Sequence, residues 1–386
     1  MSAITKQAKA PSESIDLIYY DVVASNLNTN ISPPQDFTFS EVRSVPFLTN
    51  PEQYRMSIIR FTLDTAGSVP LVLPLIQANQ ADLNLTIYSV TLSYNGTDSQ
   101  AYIEFEPDDL NAAVPLAPIQ YPNKLQNNQT GYYNIYSYQN WIALINKAFQ
   151  TAFATLEALV GEGFPSTFAP KLIWDVTTNT AILYSPYLYY NSFVATNQIS
   201  IFMNAPLFEM FNTFPNIIQN YPTVTNGKNF QILTTFLTDP PVENFPTNNP
   251  NAVLCIITQQ ELSTIANISP ILSIVFTSDT LPIISEQLSK PQITANGSIL
   301  QNYGNNASFA NVITDFVSDS GVYTPNIVYS PSAQYRYIQL NTNQPLYRFD
   351  FRVYYKIRTG ELIPFKLVAG ASASIKVLFQ KKNGII

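Results

Sequence analysis

Between Tyr347 and Arg358 the side chains alternate at every residue. Tyr347, Phe349, Phe351, Val353, Tyr355 and Ile357 form one series, and Arg348, Asp350, Arg352, Tyr354, Lys356 and Arg358 form the other. Successive side chains of a strand leave opposite faces, so a period of two predicts an extended strand with one dry face and one wet, largely basic face. Thr359-Gly360-Glu361 turns the chain, Ile363–Val368 returns, and Ala373–Phe379 supplies a last strand. A dry face of this length has to be covered by another layer.

Strand signals also fill the first part of the chain, at 15–23, Phe37–Val45, Ser57–Leu63 and Val69–Ile76. In the third of these, Ile59, Phe61 and Leu63 alternate with Arg60 and Thr62. Thr86–Tyr94 ends at Asn95-Gly96, a tight-turn pair, and Tyr102–Glu106 returns, which predicts a hairpin. The 24 tyrosines, 24 phenylalanines and only 12 glycines agree with a mainly β chain.

The middle differs. Pro, Asn and Gln dominate from 110 to 133, marking a connector. Ser137–Val160 is the one long helix expected, with Trp141, Ile145, Ala148, Ala152, Leu156 and Leu159 on one stripe and Gly161 as its stop. That stripe reads as core packing. Short strands at Leu172–Val176 and Ala181–Tyr184 and a short helix at Leu207–Asn212 follow. A Pro- and Asn-rich stretch, Thr238–Asn251, precedes apolar strands at Val253–Ile257 and Ile271–Phe276. Strands at both ends around a helix-bearing middle predict one antiparallel sandwich built from the two ends of the chain, with an α+β domain inserted in a loop. The expected division is a flexible arm at 1–13, a sandwich from 14–115 and 252–386, and an inserted domain at 116–251.

Charge is unevenly placed. Residues 336–386 hold nine of the 19 basic groups and only Asp350 and Glu361 as acids, whereas the whole chain is −7. The acidic bulk and basic C-terminal part predict electrostatically different ends. Arg348, Arg352, Lys356, Arg358, Lys381 and Lys382 are the candidate interaction residues, facing a polyanionic or acidic neighbour.

Little in the sequence suggests catalysis. Histidine is absent, which removes the usual general base near neutral pH and a common metal ligand. Cys255 lies in an apolar run and reads as a buried thiol; one cysteine allows neither an intrachain disulfide nor a cysteine-based zinc site. No phosphate-binding glycine loop, dinucleotide fingerprint or nucleophile elbow occurs. Asp108-Asp109 is the one adjacent acidic pair, more simply a solvated turn or cap than a glycosidase site. No enzyme, cofactor or metal site is expected, nor specific nucleic-acid recognition, a signal peptide or a membrane span. The Asn-X-Ser/Thr triplets at Asn84, Asn95 and Asn296 read as chance in an Asn-rich chain.

Several C-terminal segments resemble a known family. Ile271–Glu286 is similar to a stretch of the penton, or vertex minor capsid, proteins of virophages and Polinton-like viruses of the Sputnik type. So, in the same order, are Asn311–Phe316, Ile327–Pro331, Tyr335–Leu340, the 347–357 strand, Thr359-Gly360, Ile363–Phe365 and Ile375–Lys382. The resemblance is clear over 252–386 and weaker around Trp141 and Leu207–Pro215. It implies a single jelly-roll β-barrel with an inserted outer domain, made in the host cytoplasm and placed at the capsid vertex. It further implies a homopentamer contacting the major capsid protein, with a host receptor or glycan as a possible partner of the inserted domain. The alternatives are a receptor- or carbohydrate-binding β-sandwich spike module and a glycan-processing enzyme using Asp108 or Asp109.

Overall fold

A computed structural model describes residues 17–26, 35–78, 80–107, 126, 128–191, 193, 195–219, 226–234, 242–244, 253–284, 286–288, 293–295, 298–300, 308–317, 326–329 and 336–382. The expected arm at 1–13, the pair Asp108-Asp109, Asn296 and most of the connector and of Thr238–Asn251 lie outside these residues. Two compact units emerge. One holds the described residues of Met1–Ser68, Leu272–Val317 and Thr324–Ile386, and the other those of Val69–Ile271.

The first unit is built on eight strands: β1 (Leu17–Ser25), β2 (Thr38–Val42), β3 (Tyr54–Asp64), β4 (Ile271–Thr277), β5 (Val312–Phe316), β6 (Asn326–Tyr329), β7 (Arg348–Ile357) and β8 (Ser372–Lys381). One sheet runs β1-β8-β3-β6, and Ile338–Gln339 adds a short piece against the start of β3. The other runs β5-β4-β7, whose far edge takes β2 along Arg348–Arg352 and Leu362–Pro364 along Tyr354–Lys356. All the registered pairings are antiparallel.

Aromatic side chains join the two sheets into a sandwich. Phe349 of β7 lies 4.9 Å from Tyr20 of β1 and 5.8 Å from Phe379 of β8, ring centre to ring centre. Further along, Phe61 of β3 packs 5.1 Å from Phe276 of β4 and 4.8 Å from Phe316 of β5. Edge-to-face and tilted pairs of this kind contribute about 0.5–1.5 kcal/mol each beyond their buried area.

Two details depart from simple alternation. The β3–β8 register slips between Lys376 and Val377, which pair with Arg60 and Ile58. Ile59 is the extra residue of a bulge, so Ile58 and Phe61 both enter the core while Ile59 is only half-buried, contrary to its expected place among the inward residues. Val69–Ile76, expected as a strand, makes only isolated bridges at Val72 and Ile76, to Ile135 and Thr86.

The second unit has two sheets and one long helix. Asn216–Ile218, Phe230–Ile232, Ile199–Met203, Leu85–Tyr94 and Thr97–Glu104 form the first sheet in that order. Val242–Asn244, Leu254–Gln259, Thr180–Pro186 and Lys171–Asp175 form the second. The hairpin turns at Asn95 and Gly96, both at positive φ, as the sequence requires. It pairs with Ile199–Met203 and lies in the second unit, outside the sandwich segment 14–115 expected to hold it.

Helix α1 (Tyr138–Val160) matches the expected span, and the Gly161 N–H bonds the Glu157 carbonyl at 2.9 Å to end it. Trp141, Ile145, Ala148, Ala152 and Leu156 are buried, and Ile142, Leu144 and Phe149 widen the stripe. Leu159, expected on the same stripe, is exposed in the last turn. The short helix falls at Ala205–Met210, started by Asn204, whose Oδ1 accepts from the Leu207 N–H.

Candidate interaction face

The six candidate basic residues are divided between the two sheets of the first unit. Arg348, Arg352 and Lys356 lie on β7, with Arg358 just past its end. Lys381 ends β8 and Lys382 follows it. β7 holds the expected alternation from Phe349 onward, with Phe349, Phe351, Val353, Tyr355 and Ile357 buried because the other sheet covers that face, whereas Tyr347, expected to begin the dry series, precedes the strand and is exposed.

Asp350 is the exception on the wet face. It is only 5% exposed. The Ser278 hydroxyl donates to it at 2.6 Å, the N–H groups of Asp279 and Thr280 at 3.0 and 2.9 Å, and the Thr280 hydroxyl also bonds it. Burial alone would raise the carboxyl pKa, but these donors outweigh it and hold Asp350 below its ordinary value. The loop leaving β4 therefore covers one position of a face expected to be wet throughout.

The same loop takes up Arg352, whose guanidinium pairs with the Asp279 carboxylate. A hydrogen bond with Tyr354 and the charge of Asp279 raise the Arg352 pKa. Arg348 is exposed, opposite Val42 of β2, and Lys356 is half-buried. Arg358 is exposed beside the turn in which the Gly360 N–H bonds the Ile357 carbonyl at 2.8 Å. Lys382 is anchored: its Nζ donates to the Glu52 carbonyl at 2.8 Å and to Gln339 at 3.1 Å. The six residues thus form no single patch. Arg352 and Lys382 have structural partners, and Arg348 is the most openly presented on β7.

One polar cluster was not legible in the sequence. The Tyr20 hydroxyl of β1 donates to Glu41 of β2, and Arg43 bonds Glu41 at 2.7 Å while its guanidinium sits 5.0 Å from the Tyr20 ring centre. Burial, then the bond to Glu41, push the Tyr20 hydroxyl pKa up. The cluster ties the two sheets along one side, through residues far apart in sequence. Among the described residues no cluster of three or more His, Cys, Asp or Glu side chains could hold a metal ion. Nor is any helix among them long and apolar enough to cross a membrane.

The family described as Sputnik minor capsid protein V18/19 matches residues 18–381. The chain belongs to this family. It is a minor capsid protein, a structural component of the virion, and the likeness read in 252–386 extends over nearly all of the chain. The uncharacterized protein V18 of Sputnik virophage is 35% identical over 155 residues, 40% of this chain and 92% of that protein. The structural protein V19 of the same virophage is 26% identical over 218 residues, 55% of this chain and 94% of that protein. A chain in the cryo-EM structure of the Sputnik virophage superposes with a TM-score of 0.79 at 26% identity, over 96% of this chain and 99% of its own. The mavirus penton protein superposes with a TM-score of 0.60 at 14% identity, over 95% and 99%, which is a likeness of fold.

Proposed function

We propose that this minor capsid protein is the penton subunit of an icosahedral shell. Five copies close a ring at each five-fold vertex, contact the major capsid protein around it, and perform no chemical step. The observation that carries the reading is the course of the eight strands. The chain passes between the sheets as β1, β3, β6 and β8 in one and β2, β4, β5 and β7 in the other. That order supports a single jelly roll, an architecture used by viral shells. The second unit then occupies the connection between β3 and β4, as an insertion. The fold likeness to the mavirus penton protein supports the same reading.

The test is to image particles assembled with and without this protein. Loss of density confined to the five-fold vertices is the expected result. Complete vertices with density missing elsewhere in the shell would overturn the assignment.

A further inference from the structure

Among the described residues, β1 leaves one edge of its sheet open. It pairs residue for residue with β8 from Leu17 to Ser25, with no register shift, and with no other strand. Just past its end the Asn26 N–H bonds the Ala371 carbonyl at 2.9 Å. Backbone groups of an antiparallel strand point alternately toward its partner and away from it. Ile18, Tyr20, Val22 and Ala24 therefore aim theirs at β8. Leu17, Tyr19, Asp21, Val23 and Ser25 aim theirs at the open edge, where no described residue bonds them.

A nine-residue edge with neither Lys nor Pro and a row of unpaired backbone groups is a template for a further strand. The side chains of the same five residues lie on the outer face of the sheet, where Leu17, Tyr19 and Val23 are exposed. Asp21 is the one charge among them, 3.7 Å from Arg60.

The chain carries a matching segment immediately before β1. Pro11–Asp16, with the turn formers Pro11, Ser12 and Ser14, is long enough to reverse the chain. It leaves nine residues, Ser2–Ala10, for the nine of β1. Laid antiparallel with Ala10 opposite Leu17, this segment sets Lys6 opposite Asp21 and Ile4 opposite Val23. Small Ala8 then falls opposite Tyr19, whose ring Lys376 already covers at 5.4 Å. On the other face Lys9 comes across from Ile18, one rung from Tyr20 and its partner Glu41. A slip of one residue would set Lys6 against buried Tyr20 or Val22 instead. Pro11, which has no N–H to give, stays in the connection.

We propose that residues 2–10 dock antiparallel along the open edge of β1, in this register, as an added strand of its sheet. The occupant is the chain's own segment, because a six-residue connection reaches its own β1 without a second copy. Docked there, it covers an edge otherwise open to strands of other molecules.

The test is a disulfide in the full-length chain. Ala3→Cys with Ala24→Cys makes a non-hydrogen-bonded cross-strand pair in this register, with Cα atoms about 4.5 Å apart and within disulfide range. Gln7→Cys with Ala24→Cys sets the partners four positions out of register. The native protein is oxidised mildly, the remaining thiols are alkylated, and the digest is read by mass spectrometry. The first pair should be bonded within one chain and the second unbonded, with fully buried Cys255 taking no part. A second readout needs no disulfide. Lys6→Glu sets two carboxylates against each other and should speed tryptic cleavage after Lys9 about twofold to fivefold, with the melting profile unchanged. Equal bonding of both pairs, no bond in the first, a bond between two chains, or an unchanged cleavage rate would overturn the proposal.

Discussion

The Ser278 hydroxyl donates a 2.6 Å hydrogen bond to the Asp350 carboxylate, fastening the loop after β4 onto the charged face of β7. Asp350→Asn should destabilise the protein by about 1–3 kcal/mol, because the amide turns a donor toward groups that already donate. Urea denaturation measures this. The pH dependence has a defined sign. The Asp350 pKa is lowered in the folded state, so its contribution is complete above the unfolded value, about 3.9, and disappears as pH falls through the folded value. Asp350→Asn should therefore lose part of the acid-unfolding limb while remaining less stable at neutral pH.

Adjacent positions on β7 should respond very differently. Phe349 is fully buried among Tyr20, Phe47, Phe351 and Phe379, so Phe349→Ala should cost about 3–5 kcal/mol. Arg348→Ala, one residue away and exposed, should stay within about 0.5 kcal/mol. Equal losses in chemical denaturation would contradict the two-faced strand.

In the second unit, Gly227 has φ +67, and a Cβ there would sit 2.6 Å from Gln100 Nε2 and 2.9 Å from Ser89 Oγ. The neighbouring Asn226 carbonyl accepts from Thr91 at 2.6 Å, and Lys228 bonds Asp98 at 3.0 Å, so the segment cannot easily lift. Gly227→Ala should lower stability by about 1–3 kcal/mol, read as a fall in melting temperature. An unchanged melt would show that the segment does not lie against the strand as described.

Charge neutralisation should separate assembly from stability. Arg348→Gln should leave folding intact and reduce particle yield in an assembly assay. Arg352→Gln should instead act through the lost Asp279 pair, with an effect of about 1 kcal/mol or less at this half-exposed site. Unchanged yield with Arg348→Gln would remove the last openly presented cation of β7 from any role in contacts.

Much of the fold was legible because it rests on local periodicity. The 347–357 strand, α1 and the Asn95-Gly96 hairpin follow from side-chain alternation, helical spacing and turn chemistry within short windows. What escaped depends on the partner strand or a covering loop. Ile59 is displaced by a bulge that shows only in the register with β8. Asp350 is buried by residues some seventy positions earlier, and a strand's own pattern does not reveal what lies over its wet face. The candidate face was legible as basic residues and not as a patch, since charge counting does not see that Arg352 and Lys382 already have partners. The Tyr20–Glu41–Arg43 cluster had no sequence signal, because it joins separate strands.

The native mass of the purified chain, by light scattering across a range of salt and concentration, tests the vertex role most directly. The account predicts one discrete species of five chains of 43.1 kDa, about 216 kDa, as a closed cyclic ring requires. A stable trimer, or a monomer at every concentration, would contradict it.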